Sequence, residues 1–210
     1  RPPQSRYTTS CGCRDGIVGA MTELKRIQIE RLEQELPLLK DLNRRKTSTH
    51  LSEEEEARWL QLYLGILSLF GTRHAGLLEQ RNSMRVPCRV RVDLELNQER
   101  FYAMSYDMSL QGLAIEFSDH IQEAANVSMT IHLSRRRLLG LLPGITIETR
   151  GTVRWKSREA NRVGISFDSL SQLDQQRIED AIFKRIQSQV SGALARAKAD
   201  EARHFMMDDG

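Results

Sequence analysis

From residue 86 onward, the sequence changes from a helical period to a period of two. In the first alternating segment, 86–96, the apolar residues are Val90, Val92, Leu94 and Leu96, and the charged residues that alternate with them are Arg89, Arg91, Asp93 and Glu95. This alternation is typical of a strand with one buried face. Five more short strands are predicted at 101–107, 113–117, 127–133, 145–155 and 163–167. Six short strands at this spacing predict a small six-stranded antiparallel β-barrel.

Both flanks of the predicted barrel have helical periodicity, so we expect an α+β fold. Residues 21–43 carry apolar residues at helical spacing, but Pro37 is expected to kink this segment or divide it in two. After a polar connection at 43–50, a second helix is predicted over 52–70, because Ser52 and Glu55 form a capping box. A third helix is predicted over 173–207, and its end is expected to fray after Gly192.

Residues 1–20 are rich in Arg, Pro, Ser, Thr and Gly without apolar periodicity, and we predict that they are disordered. A flexible native tail and an upstream extension ahead of a natural start at Met21 are both open. The predicted organisation is a disordered tail at 1–20, a helical module of two or three helices at 21–78, the barrel at 79–170, and a C-terminal helix with a frayed tail at 171–210.

The second predicted helix has an apolar face that is too wide for a helix packed against one partner. Its members are Trp59, Leu60, Leu62, Tyr63, Leu64, Ile66, Leu67, Leu69 and Phe70. Either the chain's own fold or another subunit must cover this face. Together with the apolar stripes of the other helices it exceeds what a barrel of about 90 residues covers, so we expect a homo-oligomer assembled through the helices.

Two arginines and an acidic turn lie around the first two predicted strands in the pattern of a ligand site. Arg81 and Arg85 precede the first strand, and each offers a planar charged fork that fits a phosphate or the edge of a guanine. Asp107, Ser109 and Gly112 follow the second strand. An aspartate accepts hydrogen bonds from guanine N1–H and N2–H₂, a serine donates to a ring nitrogen or phosphate, and a glycine permits close backbone approach. Together they predict a pocket for an anionic guanine nucleotide.

The order R-x-x-x-R and then D-x-S-x-x-G resembles the PilZ domain family of bacterial cyclic di-GMP receptors. Residues 151–155 (GTVRW) and 162–167 (RVGISF) are similar to the late strands of that family, and the resemblance covers residues 79–170. It implies that Arg81 and Arg85 wrap the phosphates and guanine edges of cyclic di-GMP, while the turn formed by Asp107, Ser109 and Gly112 holds a guanine. The implied function is a cytoplasmic receptor that transmits binding to its helical module or to a downstream protein partner.

Neither an enzyme nor a metal site is predicted. The histidines, which are His50, His74, His120, His132 and His204, are scattered, and no nucleophile–base pair or glycine-rich phosphate loop accompanies them. Three cysteines, Cys11, Cys13 and Cys88, fit neither a disulfide framework nor a zinc site, which suits a reduced cytoplasmic setting. The alternative function is a protein-interaction adaptor whose PilZ-like barrel does not bind nucleotide.

Charge and hydropathy argue against a nucleic-acid-binding protein and a membrane-spanning protein. Lys and Arg total 31 against 28 for Asp and Glu, so the small surplus does not indicate a nucleic-acid-binding surface. The longest apolar run, 59–70, is shorter than the roughly 20 residues that a membrane-spanning helix needs. We therefore expect no nucleic-acid partner and no transmembrane segment.

The connection at 71–80 suggests how binding would be transmitted. It contains two glycines that can act as a hinge between the second helix and the arginine pair. The phosphates of a ligand would neutralise the arginines and draw their loop against the barrel, so we expect binding to move the helical module. The alternative is a loop that orders locally while the helices stay fixed.

Overall fold

The computed structural model describes residues 12–71, 82–116, 121–133, 144–157 and 159–208, with side chains described from residue 25 to residue 203 within those ranges. Three helices and seven strands occupy this part of the chain. They are α1 (Gly12–Ser48), α2 (Glu53–Leu69), β1 (Val86–Pro87), β2 (Arg91–Leu96), β3 (Glu99–Ser109), β4 (Gly112–Glu116), β5 (Asn126–His132), β6 (Thr146–Ser157), β7 (Arg162–Phe167) and α3 (Gln172–Asp208).

Strands β2 to β7 form a closed antiparallel barrel in the order β3-β2-β5-β6-β7-β4, and β4 closes it by pairing with β3. The two-residue strand β1 is added on the other side of β3. Inward-facing residues fill the barrel, among them Val92, Leu94, Ile115, Ile131 and Ile165. The predicted six-stranded barrel and the α+β class are thus confirmed.

The predicted first strand, 86–96, is divided into β1 and β2, and a buried serine of β3 bridges the break. Ser105 Oγ accepts a hydrogen bond from the Val90 N–H at 2.8 Å and donates one to the Cys88 carbonyl. These side-chain bonds satisfy backbone groups that a continuous strand would pair through its ladder. Strand β1 is therefore separate from β2 and pairs with the end of β3, at Asp107 and Met108.

Helix α1 is longer than predicted at both ends and continues through Pro37. Residues 12–20 are helical rather than disordered, while residues 1–11 of the predicted disordered tail lie outside the described residues. Once a helix is nucleated, each added residue gains a backbone hydrogen bond without needing apolar periodicity. Pro37 lies on the exposed side of the helix, where water can bond the carbonyl that a proline leaves unpaired. The division of this helix that Pro37 suggested is therefore absent.

The last turns of α1 replace the polar connection that was predicted at 43–50. Arg44 pairs with the buried carboxylate of Glu179 on α3, and Lys46 pairs with Glu56 on α2. Both cations are thus fixed by carboxylates on neighbouring helices, and these partners cannot be recognised from the sequence of 43–50 alone. The helix consequently extends to Ser48.

Helix α2 is confirmed at both its start and its end. Ser52 caps it, and the capping box with Glu55 is present in both directions. Its apolar face is mostly covered within this chain, because Trp59, Leu62, Tyr63, Ile66 and Leu67 are buried in one core cluster with residues of α1, α3 and the barrel. The chain's own fold thus accounts for most of the width that suggested a subunit interface.

Helix α3 covers the predicted segment 173–207 and ends at Asp208, and the part after Gly192, where fraying was expected, is helical. Ala193 and Ala197 are buried, and Glu201 forms an ion pair of 3.1 Å with Arg26 of α1. Packing against α1 holds the alanine-rich part that would fray in isolation. None of the helices in the described part of the chain is long and apolar enough to cross a membrane.

Candidate ligand-binding site

Strand β1 brings one arginine of the predicted pair next to the predicted acidic residue. Val86 pairs with Met108 and Pro87 pairs with Asp107, so Arg85 lies at the end of β3. Its Nη1 is 3.6 Å from Asp107 Oδ1, and the two side chains are 29% and 23% exposed. Arg81 lies outside the described residues. The structure therefore brings together Arg85 and Asp107, which are 22 positions apart in the sequence.

The Asp107 carboxylate retains acceptor capacity. Its Oδ1 is buried and has no hydrogen-bond partner among the described groups. The 3.6 Å separation from Arg85 is an ionic contact that is longer than a hydrogen bond. A buried acceptor in this state is costly unless a donor completes it, which is the property expected of a group that meets N–H donors of a ligand.

Ser109 is used within the turn between β3 and β4. The side chain is buried; Oγ donates to the Gly112 carbonyl at 3.1 Å and accepts from the Gln111 N–H at 3.3 Å. Since a hydroxyl has one hydrogen to donate, that hydrogen is committed to the turn. The structure therefore shows Ser109 shaping the segment that follows Asp107.

Gly112 is required by the neighbouring strand β7. A Cβ at this position would lie 2.2 Å from the Ile165 carbonyl oxygen and 3.0 Å from Ser166 Cα. Both are backbone atoms, so a flexible side chain cannot relieve the contact. The close approach of β7 to β4 accounts for the glycine without reference to any ligand.

A row of residues in register crosses the outer face of the barrel from Asp107. Asp107 pairs with Ala114 on β4, Ala114 with Gly164 on β7, and Gly164 with Trp155 on β6. A Cβ on Gly164 would lie 2.1 Å from Trp155 Nε1, so the indole lies directly on the glycine. The indole is 38% exposed, and such a surface can stack on a flat ring. Trp155 was not among the predicted site residues, and the signal that could have indicated it was a glycine and a tryptophan on adjacent late strands.

A second aromatic contact lies beside Asp107. The register of β3 against β4 shifts between Ser105 and Asp107, which leaves Tyr106 in a bulge. The Arg162 guanidinium lies 3.3 Å from the centroid of the Tyr106 ring. This cation–π pair holds the Arg162 guanidinium on the ring of Tyr106, the residue that precedes Asp107 in the chain.

The backbone around Arg85 is held by the helices. The Tyr63 hydroxyl of α2 donates to the Arg85 carbonyl and accepts from the Arg85 N–H, both at 2.8 Å. Asn43 Oδ1 of α1 accepts from the Met84 N–H at 2.8 Å. Neither residue was among the predicted site residues, because a tyrosine on an apolar helix face and an asparagine near a helix end are typical of structural positions.

A cavity of about 810 Å³ lies elsewhere, across β2, β5, β6 and the start of α3. Four carboxylates line it, those of Asp93, Glu95, Glu148 and Asp174. Burial acts to raise the pKa of Asp93, but hydrogen bonds from Arg91 and His132 outweigh it and lower that pKa, so the group stays anionic at neutral pH. Two arginines, Arg100 and Arg150, also line the cavity, but the four carboxylates outnumber them, so it is poorly suited to an anionic nucleotide.

Comparisons with known proteins identify the region that contains the site. The sequence model described as "PilZ domain" matches residues 79–184, half of the chain. No curated protein sequence matches the chain. The solved structures similar to it include three that differ in the share of the protein covered. They are the inhibitor of motility MotI/DgrA of Bacillus subtilis (20% identity, 48% of this chain and 48% of that chain, TM-score 0.39), the PilZ domain of CeSA from a cellulose-synthesizing bacterium (14%, 50% and 99%, 0.37), and the PilZ domain of YcgR from Escherichia coli with c-di-GMP (14%, 55% and 94%, 0.39). The chain spans about half the length of MotI/DgrA.

Proposed function

The chain belongs to the PilZ domain family, and from this premise we propose that it is a receptor for cyclic di-GMP that binds through Arg81, Arg85 and the turn from Asp107 to Gly112. The observation that carries the proposal is the meeting of Arg85 with the buried acceptor of Asp107. One group suits the phosphates of a cyclic dinucleotide and the other suits the N–H edge of a guanine.

The proposed binding mode divides the work between the arginines and the turn. Among the described residues, the Arg85 side chain is held by an ionic contact of 3.6 Å with Asp107, so its fork can turn to a phosphate when one arrives. The freed carboxylate then accepts from guanine N1–H and N2–H₂. Ser109 and Gly112 contribute by fixing the turn that presents Asp107, and Trp155 offers a flat surface on the same face.

Calorimetric titration of cyclic di-GMP into the full chain tests the proposal. Arg81→Ala and Arg85→Ala should each weaken binding about ten- to a hundredfold, because a charge-assisted hydrogen bond contributes about 1.5–3 kcal/mol net. Arg89→Ala is the matched control, because Arg89 is an exposed arginine that lies just after β1 and pairs with Glu116 rather than with Asp107. If the parent chain does not bind, the adaptor that lacks nucleotide binding becomes the correct function.

Asp107→Ala should reduce the preference for guanine. Adenine has no N1–H to donate to a carboxylate, so cyclic di-AMP gains nothing from Asp107. The variant should therefore lose more affinity for cyclic di-GMP than for cyclic di-AMP. Equal losses for the two ligands would mean that Asp107 supports the shape of the site and does not contact a base.

We further propose that binding is transmitted through the helices to a downstream protein partner. Gly71, at the end of α2, has φ of +65°, which marks a sharp change of direction, while the rest of the 71–80 connection lies outside the described residues. Hydrogen exchange with and without cyclic di-GMP checks the transmission. Altered exchange in 52–70 supports it, and protection confined to 82–86 and 107–112 contradicts it.

Self-association through the helices also stays a proposal. Most of the face that suggested it is buried within one chain, and the exposed large apolar side chains on the described parts of α1 and α2 are Ile27, Leu38 and Leu64. These are separate positions that offer a smaller surface than the sequence indicated. Light scattering at micromolar concentration gives the result directly, and a monomer would contradict the proposal.

A further inference from the structure

Two buried polar side chains of the helical module bond to the backbone of the arginine segment. Tyr63 and Asn43 are 0% and 1% exposed, and between them they bond to the N–H of Met84 and to both backbone groups of Arg85. A phenol hydroxyl has one hydrogen to donate and lone pairs to accept with, so Tyr63 can serve the Arg85 carbonyl and N–H together. Phenylalanine, which has the same ring, could serve neither.

These contacts supply what the sheet does not. Strand β1 begins at Val86, so Met84 and Arg85 lie outside the strand ladder. Buried backbone groups without a partner cost free energy, and here side chains from α1 and α2 provide the partners. Helix α3 reaches the same segment, because Arg185 Nε lies 3.5 Å from the Pro87 carbonyl. The path of the backbone through Arg85 is therefore set by the helices as well as by the barrel.

We propose that Tyr63 and Asn43 are positioning residues for ligand binding, which hold the Arg85 backbone where the guanidinium lies beside Asp107 and can turn from it to the ligand. This inference rests on the proposed cyclic di-GMP site. It makes the helical module a structural part of that site, although neither side chain contacts the ligand. Because coupling between sites is reciprocal, ligand bound at Arg85 also stabilises the packing of α1 and α2 against the segment.

The test measures binding and local stability in the full chain. Tyr63→Phe removes one oxygen and should weaken cyclic di-GMP binding about tenfold, since a smaller fraction of molecules would hold Arg85 in the competent position. The amides of Met84 and Arg85 should exchange with solvent faster than in the parent, while those of β5 and β6 stay unchanged. Asn43→Ala, which removes the bond to Met84, is the second variant and should act in the same direction.

Val190→Ala is the control for a merely structural effect. Val190 is a fully buried residue of α3 in the same core cluster, and no polar contact links it to the arginine segment. Truncation of Val190 should lower the melting temperature of the chain as much as Tyr63→Phe or more. Cyclic di-GMP affinity should nevertheless stay within about twofold of the parent, because no hydrogen bond to Arg85 is lost.

The outcomes separate the inference from the function on which it rests. A parent chain that does not bind cyclic di-GMP overturns the proposed function and this inference with it. A parent that binds, together with Tyr63→Phe and Asn43→Ala variants that bind equally well, overturns the inference alone. Losses of affinity that follow melting temperature across all three variants, including Val190→Ala, also overturn it.

Discussion

Replacing Gly112 by alanine is expected to destabilise the barrel, not simply to remove a ligand contact. The added Cβ would lie 2.2 Å from the Ile165 carbonyl oxygen and 3.0 Å from Ser166 Cα. Non-bonded heavy atoms prefer separations of about 3.5–4.0 Å, so β4 and β7 would have to separate by roughly 1.5 Å at this point. That shift also strains the neighbouring bond from the Phe167 N–H to the Gln111 carbonyl, 2.9 Å long.

The expected loss of unfolding free energy in Gly112→Ala is the sum of the overpacking cost and the cost of the weakened hydrogen bond. Overpacking costs about 1–3 kcal/mol, and one weakened backbone hydrogen bond adds about 1 kcal/mol. A total of about 2–4 kcal/mol lowers the melting temperature of a chain of this size by roughly 4–16 °C. Calorimetry and urea unfolding measure both quantities, and the same samples can then be titrated with cyclic di-GMP.

Gly192→Ala is the matched control because the substitution is the same but the surroundings are open. A Cβ on Gly192 meets only Arg196 Nη1, at 3.6 Å, within helix α3. Alanine there should stabilise the helix by about 0.5–1 kcal/mol. A Gly112→Ala variant that melts like the parent but no longer binds cyclic di-GMP would refute the packing argument and would mean that Gly112 is required for contact with the ligand.

Three further predictions concern other parts of the molecule. Gly164→Ala should push Trp155 off β7 and shift its fluorescence to the red, whereas an unchanged spectrum would mean that the indole does not rest on the glycine. Burial raises the pKa of the Cys88 thiol, so peptide mass spectrometry should find Cys88 unmodified by iodoacetamide in the folded chain at pH 8 and modified in urea. The Ser52 backbone N–H lowers the pKa of Glu55; the stabilisation from ionised Glu55 is complete above its unfolded pKa and is lost as pH falls through the lower folded pKa. In urea unfolding, the free energy of unfolding of the parent should therefore fall below about pH 4. The Glu55→Gln variant should lack the part of this fall that comes from protonation of Glu55.

The barrel could be predicted because its information is local and repeated. Each strand alternates apolar and polar residues, as in β2, where Val92 and Leu94 are buried and Arg91 and Glu95 are exposed. The capping box of α2 is equally local, because Ser52 and Glu55 are three positions apart. The resemblance to the PilZ domain family rested on short motifs of the same kind and is confirmed over 79–184.

The ends of the long helices could not be predicted, because distant partners determine them. Arg44 extends α1 through its pairing with Glu179, which is 135 positions away, and the end of α3 is held by packing against α1. Helical periodicity reports which face of a segment is buried, but it carries no information about an ion pair with another helix. The predictions of a polar connection at 43–50 and of fraying after Gly192 were wrong for this reason.

The motif residues show what a pattern of residue types leaves undetermined. Ser109 and Gly112 were assigned to the ligand because hydroxyls and glycines are suited to that purpose, yet each has a contact in the turn or with β7 that accounts for it. Their contribution to binding stays a prediction. Tyr63, which does bond to the motif segment, was assigned only to an apolar face, because its partner Arg85 is 22 positions away.

The attachment of the arginine segment on both sides bears on how binding would be transmitted. Met84 and Val86, which flank Arg85, are both fully buried, so the backbone cannot move without disturbing the bundle or the barrel. On the helical side it is held by hydrogen bonds to Tyr63 and Asn43, and on the barrel side by the short pairing of β1 with β3. A ligand that fixes the Arg85 side chain therefore acts on a segment that contacts both the helices and the barrel. The ligand can shift the equilibrium between two conformations of the chain only by the difference between its binding free energies for them. Coupling energies of about 1–3 kcal/mol are typical of such links. We accordingly expect cyclic di-GMP to slow amide exchange in α2 by about five- to a hundredfold in the parent, and by less in Tyr63→Phe saturated with the same ligand.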